Sequence, residues 1–160
     1  MRKKKIFFLT RFSDRDIQKE YGQEANLSLS RKVLGIMDVL RMSGLEPTIL
    51  VTDTGLLKNS KKKIFEKDKF NIFIPRKFNV KIRWINYFLN ILSTAYEIFK
   101  LKGQNSVFIA WDYLPDTLFP LIINRLDKKD IIIDLEERIS NDPEANYLFK
   151  IFEKIFENKV

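Results

Sequence analysis

Short apolar runs alternate along this chain with longer amphipathic stretches. "KKIFFLT" (4–10), "EPTILVTD" (46–53), "FNIFIP" (70–75), "SVFIAW" (106–111) and "DIIIDLEE" (130–137) are brief and rich in Ile, Val and Phe. Runs of this length predict strands, and nearly continuous apolarity predicts burial on both faces of a parallel sheet. Between them the period changes to that of a helix. Val33, Ile36, Met37 and Leu40 predict a helix over 30–44, with Ser28 or Ser30 to cap it and Gly44 to end it in the left-handed conformation.

A second helix is predicted over 78–103. Ile85, Leu89, Leu92, Tyr96 and Phe99 form one stripe, and Trp84, Phe88, Ile91, Ala95 and Ile98 widen it. Only Arg83, Asn86, Asn90 and Glu97 make a polar band. A helix this apolar packs on two sides or presses on a partner or a lipid surface, and core packing is the expected use. Helices are also predicted over 116–126, with Pro120 near the first turn, and over 142–158. Asp142 and Pro143 open the last one, and Ala145, Leu148, Phe149, Phe152, Ile155 and Phe156 form its stripe. The segment 11–29 reads as a long loop, and "TGLLKNSKKKIFEKDK" (54–69) as a charged connection. Strand–helix alternation predicts an α/β fold: a Rossmann-like, doubly wound parallel sheet of five to six strands, layered α/β/α, in one domain over 1–160.

Composition narrows the chemistry. The 160 residues contain no cysteine and no histidine. Disulfides, thiolate catalysis, a His-based triad and the usual zinc ligand sets are therefore excluded within the chain. The apolar start "IFFL" is too short for a signal peptide or a membrane span, so a cytoplasmic protein is expected, peripheral at the inner membrane surface if the charge is used there. The net charge is +8, and it is unevenly spread: residues 51–102 hold 12 Lys/Arg against 4 Asp/Glu, and residues 103–160 hold 7 against 11. The basic middle third suits an anionic membrane surface or a phosphorylated ligand, or serves solubility alone. Lys61–Lys63 are either a solvated loop or part of such a contact. No nucleic-acid-binding module is legible, and nucleic acid is not an expected partner.

In open parallel sheets, ligands sit beyond the carboxyl ends of the strands. Those ends are Thr10-Arg11-Phe12, Thr52-Asp53, Trp111-Asp112-Tyr113 and Glu136-Glu137-Arg138, with the Gly22–Ser30 loop nearby. Asp112 is a helix cap or a ligand contact. Glu136 and Glu137 are solvated strand ends, or they bind sugar hydroxyls and act as a base where histidine is missing. Arg138 pairs with one of them or holds a phosphate. Neither G-x-G-x-x-G nor G-x-x-x-x-G-K-[ST] is present, so a dinucleotide or ATP site is not expected.

Two segments resemble a known family. "NLSLSRKVLGIMDVLRMSGLEPTILVTD" is similar to the first helix and second strand in the N-terminal half of GT-B glycosyltransferases of the family-4-like branch. "VFIAWDYLPDTLFPLIINRLDKKDIIIDLEERISND" resembles the strand, helix and acidic strand end that follow there. The resemblance implies the acceptor-binding half of an enzyme that moves a sugar from a nucleotide-sugar to a glycan or lipid-linked acceptor. It implies no cofactor and no obligatory metal. Glu136 falls where relatives carry the histidine of a "DlHD" pattern, and Glu137 where they carry the acid. With Asp112 they are the implied catalytic carboxylates. Arg11, Gly22, Asn26, Tyr113 and Arg138 are the implied substrate-binding residues, with Gly22–Asn26 in the loop that approaches the donor phosphates. The donor-binding half, with its E-x7-E-type motif, is not within these 160 residues. The nucleotide-sugar is then expected through a C-terminal domain or a partner subunit, and this chain alone is expected to be inactive. The alternative is a non-catalytic basic module that docks on a membrane surface or a partner protein.

Overall fold

The computed structural model describes residues 5–12, 17, 27–52, 61–67, 69–102, 105–111, 115–126 and 130–134. Among them run β1 (Lys5–Thr10), α1 (Leu27–Met42), β2 (Glu46–Val51), β3 (Lys63–Lys67), β4 (Phe70–Ile74), α2 (Arg83–Leu101), β5 (Ser106–Trp111), α3 (Pro115–Ile123) and β6 (Ile131–Asp134). They form one six-stranded sheet in the order β3-β4-β2-β1-β5-β6. The five expected strands all run parallel, so the fold is Rossmann-like α/β. The expected helix over 142–158 lies outside the described residues.

The parallel order follows from where the apolar side chains go. β1 is central, and its alternate residues enter opposite cores. Ile6 and Phe8 face α1, together with Val33, Met37, Ile49, Ile72 and Trp111. Phe7 and Leu9 join Leu50, Phe73, Phe108 and Ala110 under Ile98 of α2 and Leu118 and Leu121 of α3. Phe7 stacks on Phe108 at 5.5 Å between ring centroids, and Phe8 lies 5.6 Å from Trp111. A strand buried on both faces needs a helix layer on each side, and right-handed crossovers supply it. α1 links β1 to β2 on one face. α2 then crosses from β4 to β5 on the other, so the chain reverses its progress between β1 and β5.

β3 corrects the reading of 54–69 as a plain connection. It pairs antiparallel with β4 in the register Lys63↔Ile74 to Lys67↔Phe70. The run "KIFEK" is too short and too charged to read as a strand. Those same charges suit a sheet edge, where Lys discourages further pairing. The two-residue turn has no glycine or asparagine to announce it, and Lys69 takes the left-handed φ of 72°.

Helix ends depart from expectation in instructive ways. Ser28 and Ser30 lie inside α1, so neither caps it, and Ser30 is buried. The other end is as expected. Gly44 adopts φ 78°, its N–H donates to Arg41 O at 2.9 Å, and the Leu45 N–H donates to Leu40 O at 3.2 Å, a Schellman pair. α3 starts at Pro115 and leaves Pro120 in its interior, so Pro120 is not near a first turn that begins at 116.

α2 is the largest correction. It starts at Arg83, not 78, and its expected polar band turns inward beyond the first turn, with Arg83 exposed. Asn90, Thr94 and Glu97 are buried. Asn90 Oδ1 accepts the Phe78 N–H at 2.8 Å, and its Nδ2 donates to Phe78 O at 3.1 Å. Asn86 Oδ1 accepts the Val80 N–H at 3.0 Å, and Ser93 Oγ donates to Arg76 O at 2.7 Å. The polar face of the helix thus supplies hydrogen-bond partners to the backbone at Arg76, Phe78 and Val80. The expected apolar arc splits: Leu92, Tyr96 and Phe99 of its stripe, with Trp84 and Phe88 beside it, are exposed, Ile85 and Leu89 are half-buried, and Ile91, Ala95 and Ile98 pack into the interior as expected.

Replacing Asn90 with Ala strands two backbone groups in the interior, at about 1–3 kcal/mol each. Urea unfolding is expected to show a loss of about 2–4 kcal/mol, whereas Trp84→Ala stays within about 0.5 kcal/mol of the parent.

Candidate functional site

The reversal between β1 and β5 lies at the carboxyl ends of the strands, the place where doubly wound sheets hold ligands. Arg11 leaves the end of β1 there, and its Nε donates to Asp116 Oδ2 at 2.8 Å. Asp116 comes from the first turn of α3, where a carboxylate also complements the helix dipole. The pair is asymmetric: the Arg11 side chain is 40% exposed and that of Asp116 is fully buried. Asp116 therefore anchors the guanidinium from below while the outer edge of Arg11 stays exposed.

Polar groups continue along this rim. Thr52 extends the sheet past β2 by donating its N–H to Thr10 O at 3.0 Å, and its hydroxyl lies 3.3 Å from that of Thr117 on α3. Lys77, past the end of β4, is buried and its Nζ donates to Val51 O at 3.3 Å. Thr10 Oγ1 is buried with no hydrogen-bond partner among the described residues. Tyr87 reaches the pair from the first turns of α2. Burial, and then the negative charge of Asp116, push its phenol up to about 12, while the Arg11 guanidinium offsets part of the rise.

Of the sequence-derived site residues, Arg11 is described, and it lies at this rim. Gly22, Asn26, Asp112, Tyr113, Glu136, Glu137 and Arg138 lie outside the described residues. The strands that lead to the carboxylates end side by side, because Trp111 of β5 is in register with Asp134 of β6. Asp116, Tyr87, Lys77 and Thr117 escape sequence reasoning. For Asp116 one signal exists: "WDYLPDT" holds two acids after a strand, and the second stands at the position where the next helix begins. Tyr87 carries no such mark, since only the packing of α2 against α3 brings it near.

The triple lysine run also resolves. Lys62 Nζ donates to the buried carboxylate of Glu97 at 2.7 Å and lies 4.6 Å above the Phe73 ring, so this lysine fixes the start of β3 to α2. Lys61 is exposed. A groove of about 620 Å³ opens beside this contact, lined by Lys61, Lys62, Arg76, Leu89, Leu92 and Tyr96 among others. Among the described residues, no group of three or more acidic side chains is placed to hold a metal ion. No protein-family model, curated protein or solved structure matches the chain.

The pair generates two expectations. Arg11→Ala leaves a buried carboxylate without its guanidinium, and urea unfolding is expected to show a loss of about 3 kcal/mol, less for Arg11→Lys. Because folding favours the protonated form of Tyr87, its contribution to stability is complete below pH ~10 and is lost between about 10 and 12. Absorbance titration of phenolate is expected to show a late component near 12 that is missing in Tyr87→Phe and moves higher in Arg11→Ala.

Proposed function

We propose that this chain is the acceptor-side domain of a GT-B-type glycosyltransferase, and that its carboxyl-end rim binds a hydroxyl-bearing glycan or lipid-linked acceptor. The observation that carries this reading is the Arg11–Asp116 pair at the reversal point between β1 and β5. A half-open guanidinium donates hydrogen bonds to sugar hydroxyls or to a phosphate linking sugar to lipid. Its buried carboxylate holds the donors in one orientation, which lowers the ordering cost on binding. A nucleotide is better held elsewhere, because the sequence has no glycine-rich phosphate loop.

In the reaction, the acceptor hydroxyl attacks the anomeric carbon of the nucleotide-sugar. The bond from that carbon to the diphosphate oxygen breaks, and the diphosphate leaves with the electron pair. The hydroxyl proton passes to a carboxylate. Asp116 is sealed beneath Arg11 and serves to position it. The base is assigned to the carboxylates that follow β5 and β6 in the chain, Asp112, Glu136 and Glu137. Groups of the donor-binding half stabilise the leaving diphosphate.

Amide shifts of the labelled chain, titrated with soluble oligosaccharides and short-chain lipid-linked sugars, test this. Perturbations are expected to converge on Thr10–Phe12, Thr52 and Asp116–Thr117, with binding weakened about tenfold or more in Arg11→Ala and partly kept in Arg11→Lys. Perturbations confined to other surfaces, or binding indifferent to Arg11, would refute the reading.

A further inference from the structure

The exposed face of α2 is not used by the fold. Trp84 is 72% exposed, Phe99 64%, Tyr96 58%, Phe88 54% and Leu92 39%. They recur at spacings of four, four, four and three, so they share one side of the helix. From Trp84 to Phe99 the row runs about 22 Å at 1.5 Å per residue. Ile82, also exposed, extends it at the front. A contiguous apolar row of this size on a globular surface marks a contact site.

Its border is cationic. Exposed Lys81 and Arg83 stand beside Trp84 at the start of the helix. Lys100 Nζ lies 4.0 Å over the Tyr96 ring at the other end. Lys61, Lys62 and Arg76 line the adjoining groove, whose wall includes Leu92 and Tyr96 of the same row. Residues 61–102 hold 11 Lys/Arg against 3 Asp/Glu, and one of those acids, Glu97, is buried against Lys62. Among the described residues, no helix is long and apolar enough to cross a membrane.

We propose that α2 docks this protein on an anionic lipid surface, lying in the interface plane with Trp84, Phe88, Leu92, Tyr96 and Phe99 among the acyl chains and the surrounding cations on lipid phosphates. The arrangement is that of an interfacial helix: a large apolar side, aromatic rings suited to the headgroup level, and Lys/Arg around the margin. Here, however, the other side of the helix is fixed to a folded domain. Charge complementarity selects the partner, because the margin is almost entirely cationic and anionic lipid attracts juxtaposed Lys and Arg. The proposal stands on α2 alone and does not depend on sugar transfer.

Co-sedimentation of the full chain with phosphatidylcholine vesicles, with and without a minority of phosphatidylglycerol, tests it. Binding is expected to the anionic vesicles only and to fall as salt rises. Tryptophan emission is expected to shift to the blue on binding in the parent and not in Trp84→Phe, since Trp111 is already buried. The combined variant Trp84→Ser, Phe88→Ser, Phe99→Ser is expected to lose binding by about tenfold or more, as is Lys61→Gln, Lys81→Gln, Lys100→Gln. Should the apolar variant fail to fold, the Trp84 emission shift and the lysine variant still decide. Equal binding to neutral vesicles overturns the proposal. So does a dimer that those serines dissolve without any vesicle binding, or oligonucleotide binding in place of vesicle binding.

Discussion

Burial of both faces of β1 is the constraint from which the rest follows. Phe8 and Leu9 are adjacent in sequence and almost wholly buried, yet they enter different cores. A strand in that position cannot lie at an edge or face solvent, so neighbours must pair on both sides and helices must cover both faces. β2 and β5 supply the pairing, each parallel to β1. Joining them requires the chain to pass from one flank of β1 to the other, and that passage places the reversal of strand order between β1 and β5. The Arg11–Asp116 pair is thus a consequence of the core arrangement: one residue follows the central strand, and the other opens the helix after its neighbour.

α2, which makes that passage, satisfies two demands with opposite sides. Its inward side carries Ile91, Ala95 and Ile98 against the sheet, and it carries Asn90 against the backbone of Phe78 and Glu97 against Lys62. An amide side chain that both accepts from and donates to one backbone unit imitates a strand neighbour and holds the chain that follows β4 against the helix. Lys62 and Glu97 tie the edge strand to the same helix. With these polar groups consumed internally, the outward side is left to the aromatic row. The proposed membrane contact and the proposed acceptor site meet at the start of one helix, where Tyr87, which senses the charges of Arg11 and Asp116, stands one turn from Trp84. A domain docked through α2 holds that site close to the lipid surface, a geometry suited to a lipid-linked acceptor.

Much of the fold is legible in the amino-acid sequence because it rests on local periodicity. Five parallel strands, the helix over Val33–Leu40 and the left-handed Gly44 follow from run length, spacing and one glycine. β3 is not legible, since "KIFEK" becomes a strand only when β4 offers a free edge. The rim is legible in part: the strand-end rule points to Arg11, whereas Asp116 is recognised only once α3 is seen to begin at residue 115 and to abut β1.

What the sequence by itself determined is the inventory and the period: which segments run as strands, which repeat as helices, and which reactions are excluded by having neither histidine nor cysteine. Tertiary structure alone decided the direction in which α2 faces. Periodicity records that a helix has a polar band and an apolar arc, but not which of them meets the protein. Here both do: Ile91, Ala95 and Ile98 meet the sheet, Asn90 and Asn86 hydrogen-bond the backbone at Phe78 and Val80, and only the part of the arc from Trp84 to Phe99 is left to face outward.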